Sequence, residues 1–140
     1  MPYSVFVTPK ENAEKISFGS WLVTITSEGE EDAIVGLLSS LTRQEYPVFL
    51  EKCTGPHGGF LQELSFMKGP FDDDGVVISE NMVMIFTYDD ELLMPSQEFH
   101  KLCKAFGETA LEAAKEFRLL EKDLVDEDWI SRVKEATAKI

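Results

Sequence analysis

The side chains best suited to chemistry in this sequence are two cysteines and two histidines, which fall in two pairs. Cys53 and His57 are four residues apart, and His100 and Cys103 are three residues apart. Four thiolate and imidazole ligands can close a tetrahedral zinc site, and both spacings are permissible in one. Cys103, however, lies on the apolar stripe of a predicted helix, where a free cysteine usually acts as a small hydrophobe. We therefore predict no metal or other cofactor and keep a zinc site as an alternative.

The same residues are the candidates for nucleophilic catalysis. A catalytic thiol needs a base that a third group holds in place, and no neighbouring motif supplies this arrangement for Cys53 and His57. The sequence also lacks the nucleophile-elbow, zinc-protease and phosphate-loop patterns. We therefore expect a binding protein rather than an enzyme, with a small metal-binding or Cys/His enzyme as an alternative.

The stretch around the first pair is rich in turn-forming residues. Residues 54–59 read TGPHGG, and the flanking runs Tyr46–Cys53 and Phe60–Met67 are apolar, as is typical of strands. Glycines in such a stretch permit positive φ angles. The pattern predicts a hairpin whose loop presents His57 to solvent, where it is available as a partner contact.

The PFDDDG run has some features of a calcium-binding EF-hand loop. When Gly75 is aligned with the glycine of that loop, Pro70 stands where an aspartate is required and Asn81 stands where a bidentate glutamate is required. A predicted strand also follows where the motif needs a helix. At most a weak calcium site on Asp72 and Asp74 is compatible with this pattern.

The strongest signal in the sequence is its charge. The chain has 13 Lys and Arg against 26 Asp and Glu, a net charge of −13. No Lys or Arg lies between Lys68 and Lys101, and we call residues 69–100 the acidic segment. Like charges held together destabilise a fold by repulsion, so the segment favours a cationic partner, although acidic surfaces also aid solubility. The carboxylates in the segment are Asp72, Asp73, Asp74, Glu80, Asp89, Asp90, Glu91 and Glu98.

The arrangement of these carboxylates depends on whether the chain reverses at residues 80–81. If it does, Asp72 comes to lie opposite Asp89, and both acidic clusters meet at one end of the sheet. If Val76–Tyr88 is instead one unbroken strand, the clusters lie roughly 45 Å apart at about 3.3 Å per residue. Glu80-Asn81 is a weaker turn signal than Asn-Gly, so both geometries stay open.

Hydrophobic patterning predicts an α+β fold. The strands, at Tyr3–Val7, Trp21–Ser27, Tyr46–Cys53, Phe60–Met67 and Val76–Tyr88, are apolar runs between turn signals, and the last is interrupted at residues 80–81 or continuous. Short connections favour an antiparallel sheet of about five or six strands. We expect residues 1–140 to form one globular domain.

Three helices are predicted from apolar residues spaced three and four apart. The first covers about residues 29–41, after a capping-box pattern formed by Ser27 and Glu30. The second is a long helix through residues 99–120, in which Gly107 is a weak point. The third begins near Asp126, which is a good N-cap. One helix thus follows strand 2, and two C-terminal helices pack on the sheet.

Composition excludes several classes of function. No apolar run approaches the roughly 18 residues of a membrane span, and we expect no signal peptide at the N-terminus. Two cysteines do not make a disulfide framework, so we expect a cytoplasmic protein. The negative charge disfavours nucleic acid and anionic membrane surfaces as partners. A basic protein, such as a toxin or a secreted effector, is the predicted partner.

These observations predict an acidic protein-binding module that occludes a basic partner. The most concrete version is a bacterial immunity protein or antitoxin that neutralises a nuclease-type toxin. The alternative is a secretion or export chaperone, which predicts a stable homodimer with exposed apolar grooves. The predicted partner contacts are Asp72, Asp73, Asp74, Asp89, Asp90 and Glu91, with Tyr88 or Phe71 as an apolar anchor and His57 as a second contact.

Overall fold

The chain has the α+β architecture that its sequence predicts. A computed structural model describes residues 3–8, 22–29, 32–56, 58–61, 64–73, 75–87, 90–117 and 125–140. Within these ranges the chain forms eight strands, arranged in three antiparallel sheets, and four α-helices. The strands are β1 (Tyr3–Thr8), β2 (Leu22–Ser27), β3 (Gly58–Leu61), β4 (Leu64–Lys68), β5 (Phe71–Asp73), β6 (Val76–Ile78), β7 (Met82–Phe86) and β8 (Glu91–Pro95).

In the sequence, two of the described helices come before the four-stranded sheet and two come after it. That sheet has the strand order β3-β4-β7-β8, whereas β1 pairs with β2 and β5 pairs with β6. A short 3-10 turn, Arg43–Glu45, leads directly into the second helix. The helices are α1 (Ala33–Ser39), α2 (Tyr46–Cys53), α3 (Ser96–Phe117) and α4 (Glu127–Lys139).

The first hairpin follows from alternating residues in β1 and β2. Val5 lies opposite Ile25, and Val7 lies opposite Val23. Val23 and Ile25 are buried, while Thr26 on the other face is exposed. This alternation is typical of a strand with one face on the core, and it confirms both predicted strands over their described residues.

The helix α2 corrects the prediction of a strand at Tyr46–Cys53. The Glu45 carboxylate accepts hydrogen bonds from the backbone N–H of Thr42 (2.9 Å) and from its hydroxyl (3.0 Å). Pro47 occupies the first turn, where its missing N–H has no cost. The buried residues then recur at helical spacing; they are Tyr46, Pro47, Phe49, Leu50 and Cys53.

Because α2 is a helix, the hairpin predicted around residues 54–59 is also wrong. Residues 54–57 connect α2 to β3 instead of joining two strands. His57 itself lies outside the described residues. The predicted strand Phe60–Met67 is divided into β3 and β4, which pair antiparallel with Leu61 opposite Leu64.

The helix α1 begins later than the capping-box pattern predicts. Ser27 is the last residue of β2, and Asp32 is the N-cap, where its Oδ1 accepts a hydrogen bond from the backbone N–H of Val35 at 3.2 Å. The second oxygen of Asp32 accepts a hydrogen bond from the Tyr3 hydroxyl at 2.5 Å. Asp32 therefore fixes the start of α1 against β1.

The two C-terminal helices form where they are predicted. Asp126 is the N-cap of α4 and accepts a hydrogen bond from the backbone N–H of Trp129 at 2.9 Å. The Trp129 indole donates to the carbonyl oxygen of Arg43 at 2.8 Å, and Tyr46 packs edge-on against Phe106 at 4.8 Å between ring centroids. The helix α3 contacts both β1 and β8, and α4 packs on α2 and α3.

Candidate functional site

The register of the four-stranded sheet separates its residues into two faces, because directly opposite residues in antiparallel strands share a face. Phe66 lies opposite Ile85, and Val83 lies opposite Met94. These four residues are buried in the core. The ring of Phe66 packs against Phe49 of α2 at 5.7 Å and against Phe99 of α3 at 5.0 Å between centroids. This face of the sheet is therefore the one that the helices cover.

The opposite side of the sheet, which we call the outer face, is also apolar. Met67, Met84 and Leu93 form one row across β4, β7 and β8. Leu93 is 49% exposed, and Met67 and Met84 are half-buried. Among the described residues, the aromatic contacts between this sheet and a helix all involve residues of the core face and none of the outer face. The neighbouring rows are Met82 with Pro95, and Ser65 with Phe86 and Glu91.

The acidic segment supplies carboxylates at both ends of the outer face. Asp90 and Glu91 are exposed where β8 begins, and Glu91 lies opposite Phe86. Asp72 and Asp73 are exposed on β5, beyond the end of the sheet where β4 finishes. Extended backbone from Asp72 to the row of Glu91 limits the separation of the two clusters to at most about 25 Å.

Residues 79–82 form a hydrogen-bonded turn, but the chain does not reverse there, so the pairing predicted from a reversal is wrong. Met82 donates its backbone N–H to the carbonyl oxygen of Ser79 at 3.2 Å, and Asn81 has a φ of 68°. The strand β6 nevertheless pairs with β5, so Asp72 lies opposite Val77 rather than opposite Asp89. The turn inserts extra residues into a strand that keeps its direction, and the acidic clusters do not meet.

No carboxylate of the acidic segment is neutralised by an ion pair within the part of the chain that the structure describes. The ion pairs found there join Arg132 to Glu51 at 2.6 Å and Lys139 to Glu135 at 3.6 Å. Val77, which is 64% exposed, lies next to the carboxylates on the β5–β6 hairpin. Asp72, on this hairpin, therefore lies beside an exposed apolar residue.

Several predicted partner contacts lie outside the described residues, namely His57, Asp74, Tyr88 and Asp89. Phe71 is half-buried and lies opposite the buried Ile78. The outer face itself was not predicted. Its signal in the sequence is the run MVMIF at Met82–Phe86, which is apolar on both alternating faces although only one of them meets the helices.

The two cysteines, which the sequence alone did not bring together, are neighbours in the core. The Sγ atoms of Cys53 and Cys103 are 3.5 Å apart, and both residues are buried as free thiols. The Lys68 ammonium donates a hydrogen bond to the carbonyl oxygen of Cys53 at the end of α2. Burial lowers the pKa of Lys68, and the nearby thiols oppose that shift.

The surroundings of Cys103 disfavour its charged thiolate form. Burial raises the pKa of Cys103 well above its ordinary value, and the hydrogen bond with Cys53 adds to that increase. His100 is half-buried one turn earlier on α3, and burial followed by the charge of Lys68 lowers its pKa. Among the described residues, no three His, Cys, Asp or Glu side chains are grouped so as to hold a metal ion. His57, another ligand of the zinc site considered from the sequence, lies outside the described residues.

A second surface feature is a small polar cleft of about 230 Å³ between α2 and α4. Its walls carry charges of both signs, and the Glu51–Arg132 ion pair crosses it. This arrangement joins two helices and presents no apolar wall to a ligand.

In the ranges that the structure covers, none of the helices has the length and apolar character needed to cross a membrane. Comparison with known proteins gives no further guide to the site: no protein-family model, no curated protein sequence and no solved structure matches this chain.

Proposed function

We propose that this protein is an acidic binding module that occludes a basic protein partner. The most concrete version is a bacterial immunity protein or antitoxin that neutralises a nuclease-type toxin in the cytoplasm. The observation that carries the proposal is the apolar outer face with exposed carboxylates at both of its ends. Interfaces combine a desolvated apolar centre with a polar rim in this way, and a rim of one sign selects a partner of the other.

The mechanism of such a module is occlusion. Carboxylates of Asp72, Asp73 and Glu91 pair with lysines and arginines that line the partner's substrate groove, and their field speeds the encounter. The row of Met67, Met84 and Leu93 supplies the apolar centre, and flexible methionine side chains adapt to the partner surface. The partner's groove is then closed to its substrate without any chemical step.

Affinity capture from a lysate of the source organism tests this proposal. The wild-type protein should capture a basic protein at low salt and release it at high salt, because exposed charges are screened beyond about 10 Å at 0.1 M salt. A triple variant should weaken capture by about tenfold or more, since exposed ion pairs contribute up to about 1 kcal/mol each. Its changes are Asp72→Asn, Asp73→Asn and Glu91→Gln.

A matched control removes the same number of charges from other exposed positions. Its changes are Glu28→Gln, Glu108→Gln and Glu112→Gln, at exposed residues that lie outside the acidic segment. This control should capture the partner as well as the wild type does. Capture that is insensitive to salt, or that falls equally in both triple variants, would count against a site on the acidic segment.

A secretion or export chaperone is the second candidate, and the same outer face favours it. Such a protein holds an apolar segment of its client and predicts a stable homodimer. Light scattering separates the two candidates, because an occluding module is expected to be monomeric without its partner. A concentration-independent dimer would favour the chaperone, and a monomer would favour the occluding module.

A further inference from the structure

The pair formed by Cys53 and Cys103 has no part in the proposed binding function, and its geometry points to a separate property. The residues are 50 positions apart in the sequence, yet their sulfur atoms are in contact at 3.5 Å. One is the last residue of α2, and the other lies in the second turn of α3. The contact thus joins two helices that the strands β3 to β8 separate in the sequence.

We propose that Cys53 and Cys103 are a dithiol site that two-electron oxidants, such as a peroxide or a small disulfide, convert to an intramolecular disulfide linking α2 to α3. A disulfide requires an S–S distance of about 2.05 Å, so the two sulfur atoms must approach by about 1.5 Å. The thiols already face each other, so a small change of side-chain torsion and of the end of α2 can supply that movement.

The chemistry of this step balances with one peroxide molecule. The first thiol attacks the peroxide, its sulfur is oxidised to a sulfenic acid, and one water leaves. The second thiol then displaces the hydroxyl group from that sulfur, which forms the S–S bond and releases a second water. With a small disulfide as oxidant, two exchange steps release two small thiols instead.

Both cysteines are buried, but each lies close in sequence to a residue that reaches solvent. Thr54 directly follows Cys53 and is exposed, and His100 is only half-buried one turn before Cys103. The charge of the Lys68 ammonium acts to lower the pKa of Cys103, which opposes the larger effect of burial. We therefore expect oxidation to be slower than at an exposed thiol but selective for the intramolecular product.

The test is oxidation of the full chain by hydrogen peroxide, followed by alkylation of the remaining thiols in denaturant and non-reducing digestion with trypsin. Cleavage after Lys52, Lys68, Lys101 and Lys104 places the cysteines in peptides 53–68 and 102–104. We expect these two peptides to be joined, with a loss of about 2 Da from their summed mass as two thiols become one disulfide. The melting temperature should rise by about 5 to 15 °C and should return on addition of dithiothreitol.

The variants Cys53→Ser and Cys103→Ser serve as controls. Neither should gain a linked peptide or a higher melting temperature after oxidation. Two alkylated cysteines after oxidation of the wild type, or a disulfide-linked dimer instead of the internal bridge, would overturn the proposal. If either variant fails to fold, the peptide map of the wild type still gives the answer.

Discussion

At the scale of single residues, Gly107 lies where α3 and α4 pack closely against each other. A Cβ atom at this position would lie 2.2 Å from Oγ1 and 3.1 Å from Cβ of Thr137. Rotation of the threonine side chain relieves only the first of these contacts, because Cβ is fixed to the backbone of α4. The glycine that the sequence identifies as a weak point in a helix is therefore required by the contact between helices.

The variant Gly107→Ala should lower the free energy of unfolding by about 1 to 2 kcal/mol. Overpacking of a core costs about 1 to 3 kcal/mol, and this exceeds the gain of roughly 1 kcal/mol that alanine brings to a helix. Urea unfolding followed by circular dichroism measures the difference. The matched control is Gly36→Ala in α1, where a Cβ atom would lie 3.4 Å from Cγ2 of Thr87 and would meet no closer atom of the described residues.

The control should be neutral or stabilised by up to about 1 kcal/mol, since alanine is the better helix former. A Gly107→Ala protein that is as stable as the wild type would show that α3 and α4 do not approach so closely. The hydroxyl of Thr137 is buried and finds no hydrogen-bond partner among the described residues. At this site, the close packing of Thr137 against Gly107 takes precedence over a hydrogen bond to the threonine hydroxyl.

At the scale of elements, α2 and α4 are joined across their exposed surfaces by the ion pair of Glu51 and Arg132. The guanidinium donates to both carboxylate oxygens, at 2.9 Å from Nε and 2.6 Å from Nη2. The hydrogen bond from Arg132 lowers the pKa of Glu51 below its ordinary value. The two side chains are 44% and 39% exposed, so water screens the pair.

The variant Glu51→Gln should therefore lower the free energy of unfolding by no more than about 1 kcal/mol at neutral pH. Because the folded-state pKa of Glu51 is lowered, its contribution is complete above the ordinary pKa and is lost as the pH falls through the folded-state pKa. The difference between wild type and variant should shrink accordingly in acid. Urea titrations of the wild type and the variant across a pH series measure this difference.

The elements also show what the sequence could and could not predict. Alternation in β2 and helical spacing in α3 and α4 are long, one-sided patterns, and these elements form as predicted. The run from Tyr46 to Cys53 is short and apolar, so it suits either a strand or a buried helix. The features that favour a helix are Glu45 at its start and Pro47 in its first turn. Both lie at the boundary of the element, where a short sequence pattern carries least information.

At the scale of the whole molecule, the proposed function depends on where the sheet places the negative charges. The sequence predicts a segment without cations, but it does not predict which strands pair. Two residues inserted around Asn81 shift the register, so β5 and β6 extend beyond the larger sheet instead of returning alongside it. The carboxylates then lie at both ends of an apolar surface rather than in one cluster.

The outer face was missed for a related physical reason. In a strand that is apolar throughout, the sequence does not show which alternate residues face the core until the neighbouring strands are known. Both faces of β7 are apolar. Cys103 illustrates the opposite case, because its place on a helical stripe predicted the buried thiol that the structure confirms. Local periodicity thus predicts burial in helices better than it predicts which side of a sheet stays uncovered.

The most direct test of the account is photo-cross-linking from the outer face in a lysate of the source organism. The change Leu93→p-benzoylphenylalanine places the probe at an exposed position of that face, in the middle of the edge strand β8, and Lys104→p-benzoylphenylalanine places the same probe on the exposed side of α3. We predict that position 93 cross-links a basic protein at low salt, that high salt suppresses the product, and that position 104 gives none. A basic protein cross-linked only from position 104, or no cross-link from position 93 under conditions that allow capture, would contradict the outer face as the binding surface.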